Sequence, residues 1–98
     1  VTNTHHSTHR IAHDHPCLPG HFPGNPIVPG VLLLEQVAQA TAAWLGETMH
    51  IRQFSHIKFL SPLRPEDELE VFLSGTPPQL HFRCESAGRL LAQGSFST

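Results

Sequence analysis

The spacing of apolar and polar positions changes along the chain, and each change marks an element. Val1 to Thr8 is polar and short of large apolar residues, which predicts a flexible segment that frays or follows the surface, with a short strand opening at His9. Between Pro16 and Gly30 stand five prolines and three glycines, whose fixed or permissive φ values exclude a helix and a central strand. Leu18, Phe22, Ile27 and Val28 within that stretch can pin it to a core, so it reads as a structured loop rather than a linker. Val31 to Leu45 follows as a helix, opened by Pro29-Gly30 and closed by Gly46. Its apolar residues fall on nearly every face, which predicts cover all round. Beyond Gly46 the period becomes two. Ser55, Ile57 and Phe59 alternate with His56 and Lys58 until Pro62 and Pro65 end the run. Leu69, Val71 and Leu73 alternate with Glu68, Glu70 and Phe72 as far as the turn residues Gly75 to Pro78. Leu80, Phe82 and Cys84 form a third run, which turns at Ala87-Gly88 and returns through Leu90, Ala92, Gly94 and Phe96. The simplest assembly is an α+β domain in which a curved antiparallel sheet wraps the single apolar helix.

Composition narrows the possibilities. At 98 residues the chain has room for one domain, spanning 1–98, with a modest core that gains stability from a second copy. Six Lys and Arg against eight acids, scattered along the sequence, leave no basic stripe for nucleic acid. Cys17 and Cys84 lie far apart outside any C-x-x-C pairing, which fits reduced thiols in the cytoplasm. No charged segment precedes an apolar N-terminal run, and Glu35, Gln36 and Gln39 interrupt the longest apolar stretch, so a soluble protein with no membrane span is expected.

Glu35 is the only charged residue between Phe22 and Gly46. Burial of an unpaired carboxylate costs several kcal/mol or favours the protonated form, the state a general acid uses. A helix N-terminus offsets only about 0.3–1 kcal/mol of such a cost, and chiefly in the first turn. A wet dimer groove or a buried arginine would accommodate the same acid without chemistry. His21, inside Pro19-Gly20-His21-Phe22-Pro23-Gly24, is an imidazole on a stiff mounting near the helix start, suited to act as a base. It is also one of nine histidines, most of which need no catalytic role. Gly30, at the mouth of the helix, offers a backbone N–H to a carbonyl oxygen on which charge develops, or simply starts the helix.

The run His21-Phe22-Pro23-Gly24-Asn25-Pro26-Ile27-Val28-Pro29-Gly30-Val31-Leu32-Leu33-Leu34-Glu35-Gln36-Val37-Ala38-Gln39 resembles the signature of bacterial 3-hydroxyacyl-[acyl-carrier-protein] dehydratases, H-F-P-G-x-P-x-x-P-G-V-x-x-x-E-x-x-A-Q, at every position. A weaker likeness runs through Ile57-Lys58-Phe59 to Pro62 and Asp67, with Glu66 where the family usually has glycine. The resemblance implies a hot dog fold, a homodimer with two interfacial sites, and dehydration of a 3-hydroxyacyl thioester to a trans-2-enoyl thioester in fatty-acid or polyene synthesis. It implies His21 as base, Glu35 of the partner subunit as acid and Gly30 as carbonyl donor, with no metal or organic cofactor. Phe22, Val31 and Leu34 are expected to line the acyl tunnel or else to pack in the core. Glu35, where isomerising members tend to carry Asp, points to plain dehydration.

Typical members begin with a helix and strand that have no counterpart before His5, so a trimmed start is expected, with consequences for chain-length preference. The substrate is expected on acyl carrier protein or coenzyme A, with Arg52, Lys58 and Arg64 as docking charges or ordinary surface charges. Alternatives are a hot dog thioesterase, a non-catalytic acyl-binding subunit, or incidental metal binding by His5, His6, His9, His13 and His15.

Overall fold

The computed structural model describes residues 3–12 and 28–98. Strand β1 (Thr4–Arg10) is followed by helix α1 (Gly30–Leu45) and strands β2 (Gln53–Phe59), β3 (Glu68–Thr76), β4 (Gln79–Ser86) and β5 (Arg89–Ser97). They form one five-stranded antiparallel sheet in the order β1-β3-β4-β5-β2. Strands β3, β4 and β5 make a meander because short turns join them. Ala87 and Gly88 both take positive φ, 51° and 77°, as a two-residue hairpin turn matched to strand twist requires.

The predicted alternation places the core. Leu69, Val71 and Leu73 of β3 and Leu80, Phe82 and Cys84 of β4 are buried against the helix residues Leu32, Leu33, Val37 and Ala40. Phe96 of β5 joins Phe82 and Phe54 in a cluster with ring centroids 5.8–6.2 Å apart. Burial pushes the Cys84 thiol up to about 12, which makes it an inert core side chain. Thr41 is buried on the helix and donates its hydroxyl to the Val37 carbonyl at 2.8 Å, so burial leaves no polar atom of it unsatisfied.

Two expectations change. Thr4 to Thr8 does not fray: it belongs to β1, paired in register with β3 from Thr4↔Ser74 to Arg10↔Glu68. Its polarity reflects an edge strand with one face in solvent and the other, His5, Ser7 and His9, half-buried beside the helix. Helix α1 is also not covered all round by its own sheet. Leu32, Leu33, Val37, Ala40 and Thr41 are buried, whereas Val31, Glu35, Ala38, Gln39 and Ala43 form an exposed stripe, because one layer of strands covers one side of a cylinder. Glu66, which stands where the resemblance expects glycine, adopts a left-handed φ of 72°, and its N–H donates to the Ile11 carbonyl at 2.8 Å. Of the residues expected to pin the loop before the helix, Val28 is buried, and Leu18, Phe22 and Ile27 lie outside the described residues.

On the inner face of β1, His9 Nε2 lies 2.8 Å from Ser7 Oγ. Burial lowers its pKa, a hydrogen bond with Gln36 opposes that shift, and the charge of His5 adds to it. A folded-state value below the unfolded one, about 6.5, means that the unfolded chain binds the extra proton first. This contribution to stability is therefore complete above that value and declines as pH falls through it. The urea midpoint is expected to drop on acidification from about pH 7 to pH 5.5, with a smaller drop in His9→Gln; equal slopes would show that His9 has no part in it.

Candidate active site

The N-terminal end of α1 meets the end of β2 and the segment after it. Pro29, in extended conformation, is the N-cap and supplies no side-chain cap, so Gly30 begins the helix with an N–H that the helix itself leaves without a partner. Two backbone hydrogen bonds hold the surroundings: Val28 N–H donates to the Leu63 carbonyl at 2.8 Å, and Leu60 N–H to the Leu91 carbonyl at 2.7 Å. Between these segments lies a groove of about 680 Å³ whose lining includes Gly30, Val31, Leu34, Phe59, Leu60 and Leu63. That volume is in the range of small-molecule sites.

The groove is apolar yet open. Val31 is 67% exposed, Phe59 54% and Leu60 51%, the three large hydrophobic side chains most displayed to solvent among the described residues. Val31 and Leu34 both border this groove. Glu35 lies on the exposed stripe one helical turn beyond Val31, so the carboxylate expected to be buried is not enclosed by its own chain. His21 and Phe22 fall outside the described residues, and Gly30, Val31, Leu34 and Glu35 are the site residues the structure brings to one end of the helix. Phe59 and Leu60 were not foreseen as lining. Their signal was two successive large apolar residues at the end of a period-two run, one of which must face outward.

Phe59 also explains why position 30 is glycine. A Cβ built on Gly30 would stand 2.7 Å from Phe59 Cε1 and 2.8 Å from its Cζ, so the ring rests against the helix mouth. Gly30→Ala is expected to push the Phe59 ring aside and obstruct the approach to the N–H, while the fold survives because an exposed ring can swing. Thermal melts should change little. Thioester turnover should fall about tenfold or more, with partial recovery in Gly30→Ala/Phe59→Ala; a Gly30→Ala protein as active as wild type would remove Gly30 from the site.

Among the described residues no group of three His, Cys, Asp or Glu side chains converges as a metal site. His5 stacks on Trp44 at 5.9 Å and His6 on Phe72 at 4.5 Å, whereas His13 and His15 lie outside the described residues. No helix among the described residues is long and apolar enough to cross a membrane.

Comparisons with known proteins agree with this architecture. The 3-hydroxyacyl-[acyl-carrier-protein] dehydratase FabZ of Mannheimia succiniciproducens is 38% identical over 71 residues, covering 64% of this chain and 47% of that protein. FabZ of Haemophilus influenzae is 38% identical over 69 residues, covering 62% and 47%. The chain thus spans about half the length of the curated relatives it matches. Among solved structures, the dehydratase heterocomplex ApeI:P of Xenorhabdus doucetiae superposes with a TM-score of 0.84 at 21% identity, over 99% of this chain and 88% of that one. The β-alanyl-CoA:ammonia lyase of Clostridium propionicum superposes with a TM-score of 0.77 at 14% identity, over 99% and 84%. These likenesses establish the hot dog fold, one helix held against an antiparallel sheet. A family model described as ApeI-like, the ApeI dehydratase, matches residues 2–95, and the chain belongs to that family.

Proposed function

We propose that this protein eliminates water from 3-hydroxyacyl thioesters, delivered on acyl carrier protein or coenzyme A, to give trans-2-enoyl thioesters in fatty-acid or polyene synthesis. The observation that carries the reading is the junction at the start of α1, where the Gly30 N–H borders an apolar groove and Glu35 follows on the exposed stripe of the same helix. Family membership supplies the reaction class.

In this mechanism the His21 imidazole takes the proton from C2, and the electron pair moves onto the thioester carbonyl as an enolate. The Gly30 N–H, at the positive end of the helix, donates to that oxygen. The pair returns to form the C2–C3 double bond as the C3–O bond breaks, and Glu35 supplies the proton that makes the leaving group water. Proton exchange with solvent resets both groups.

The exposed stripe Val31, Glu35, Ala38, Gln39 and Ala43 supports a homodimer. Small residues let a second helix approach closely, and a carboxylate on such a stripe is brought beside the partner's site. His21 of one subunit then works with Glu35 of the partner subunit. The ApeI:P neighbour is a heterocomplex, which supports assembly of this chain with a second one. Carrier-bound substrates place the reaction in the cytoplasm. Exposed Arg64, next to the lining residue Leu63, is the best situated of the three expected docking charges for an acidic carrier. Lys58 points to the other face of the sheet.

The test is a panel of 3-hydroxyacyl thioesters on both carriers, with enoyl product and free thiol followed together. Enoyl formation without thiol release is expected. Thiol release without enoyl product would make the protein a thioesterase, and turnover of no substrate would leave it an acyl-binding subunit.

A further inference from the structure

A cavity of about 740 Å³ lies away from the helix, on the outer face of the sheet. The register builds it. His6, Phe72, Arg83, Gln93 and Lys58 are consecutive cross-strand partners in one row spanning β1, β3, β4, β5 and β2. The adjacent row carries Ser74, His81 and Ser95. His56 joins them through a bulge between Ser55 and Lys58, where it adopts φ 55° and its Nδ1 lies 3.4 Å from Ser95 Oγ. A non-glycine residue in the left-handed region is strained, and here the strain re-aims an imidazole toward the cavity.

No lining residue is acidic, although the chain holds more acids than lysines and arginines. The nearest carboxylates, Glu70 and Glu85, belong to the next row, where they pair with His6 at 3.5 Å and with Arg83 Nε. Lys58, His56 and His81 have no carboxylate partner among the described residues. Arg83 is pre-organised: its guanidinium lies 4.5 Å from the Phe72 ring centroid, and Glu85 engages its Nε, so the two terminal nitrogens keep their donors for a ligand. A fixed guanidinium, an ammonium and two imidazoles around a cavity of nucleotide size match an anion with several acceptor oxygens on each centre, and a phosphoryl group has that form.

We propose that the outer sheet face is a binding site for a small phosphate ester, held by Lys58, Arg83, His56 and His81. The site is independent of the dehydration. Isothermal titration of the full chain at fixed ionic strength, with inorganic pyrophosphate, adenosine 3′,5′-bisphosphate and 4′-phosphopantetheine as separate probes, tests it. Saturable binding at one site per chain is expected for at least one probe, weakened about tenfold or more in Lys58→Gln and in Arg83→Gln and unchanged in the exposed control Arg52→Gln. Preference for the bisphosphate identifies a nucleotide as the source, and preference for phosphopantetheine a carrier arm. No binding of any probe, non-saturable binding, or equal weakening by Arg52→Gln would overturn the proposal.

Discussion

Glu35→Gln is expected to lower kcat for the proposed enoyl thioester formation by about a hundredfold to ten-thousandfold, the range of a lost general acid, while the melting temperature stays within that of a surface substitution. The separation of the two effects follows from where Glu35 stands. It is exposed on α1 and makes no hydrogen bond or ion pair among the described residues, so a side chain of the same shape disturbs none of the contacts described. Glutamine also fills the same space at a dimer interface and carries no charge to bury. What it lacks is a carboxylic proton to give to the departing hydroxyl. Kinetics with a 3-hydroxyacyl thioester and a thermal melt of the same preparations check both halves. Retained turnover would remove Glu35 from the mechanism, and a large fall in melting temperature would make it a structural residue.

Phe96→Ala has the opposite signature. Phe96 is 1% exposed and packs against Phe82 and Phe54. Truncating such a ring costs about 3–5 kcal/mol, because the cavity it leaves collapses only in part. A domain this small has about 5–15 kcal/mol in total, so the variant should be near the limit of folding, with a melting temperature lower by about 4–8 °C for each kcal/mol lost. Urea denaturation measures it. A loss below about 1 kcal/mol would mean that the three rings do not form the packed cluster described.

Strands β3 to β5 were legible in the sequence because Leu69 to Leu73 and Leu80 to Cys84 alternate strictly, and burial of one face leaves a period of two no other register. The helix was legible for its Leu and Ala content and for Gly46 at its end. β1 was missed at Thr4 to Thr8 because it is an edge strand whose half-buried face is made of His and Ser, which carry no apolar alternation. The surplus of apolar positions on α1 was legible too, but its meaning was not. A sequence shows how much of a helix avoids water, and Val31, Ala38 and Ala43 show that its own sheet does not supply all of the cover.

Gly30 and Glu35 are singled out by fixed spacing in a long motif. Phe59 and the outer row His6-Phe72-Arg83-Gln93-Lys58 are not, because they depend on which strands become neighbours and on a bulge at His56.

Whether an acid and a base from two subunits act on one hydroxyacyl thioester is decided by a mixed dimer. His21→Ala and Glu35→Gln chains would be co-expressed with different tags, the heterodimer isolated on both, and its rate of enoyl formation compared with each homodimer. A two-fold dimer has two sites, and in the mixed species one carries both substitutions while the other carries neither. About half of wild-type activity is expected from the heterodimer and almost none from either homodimer. A heterodimer as inactive as its parents would contradict the shared site.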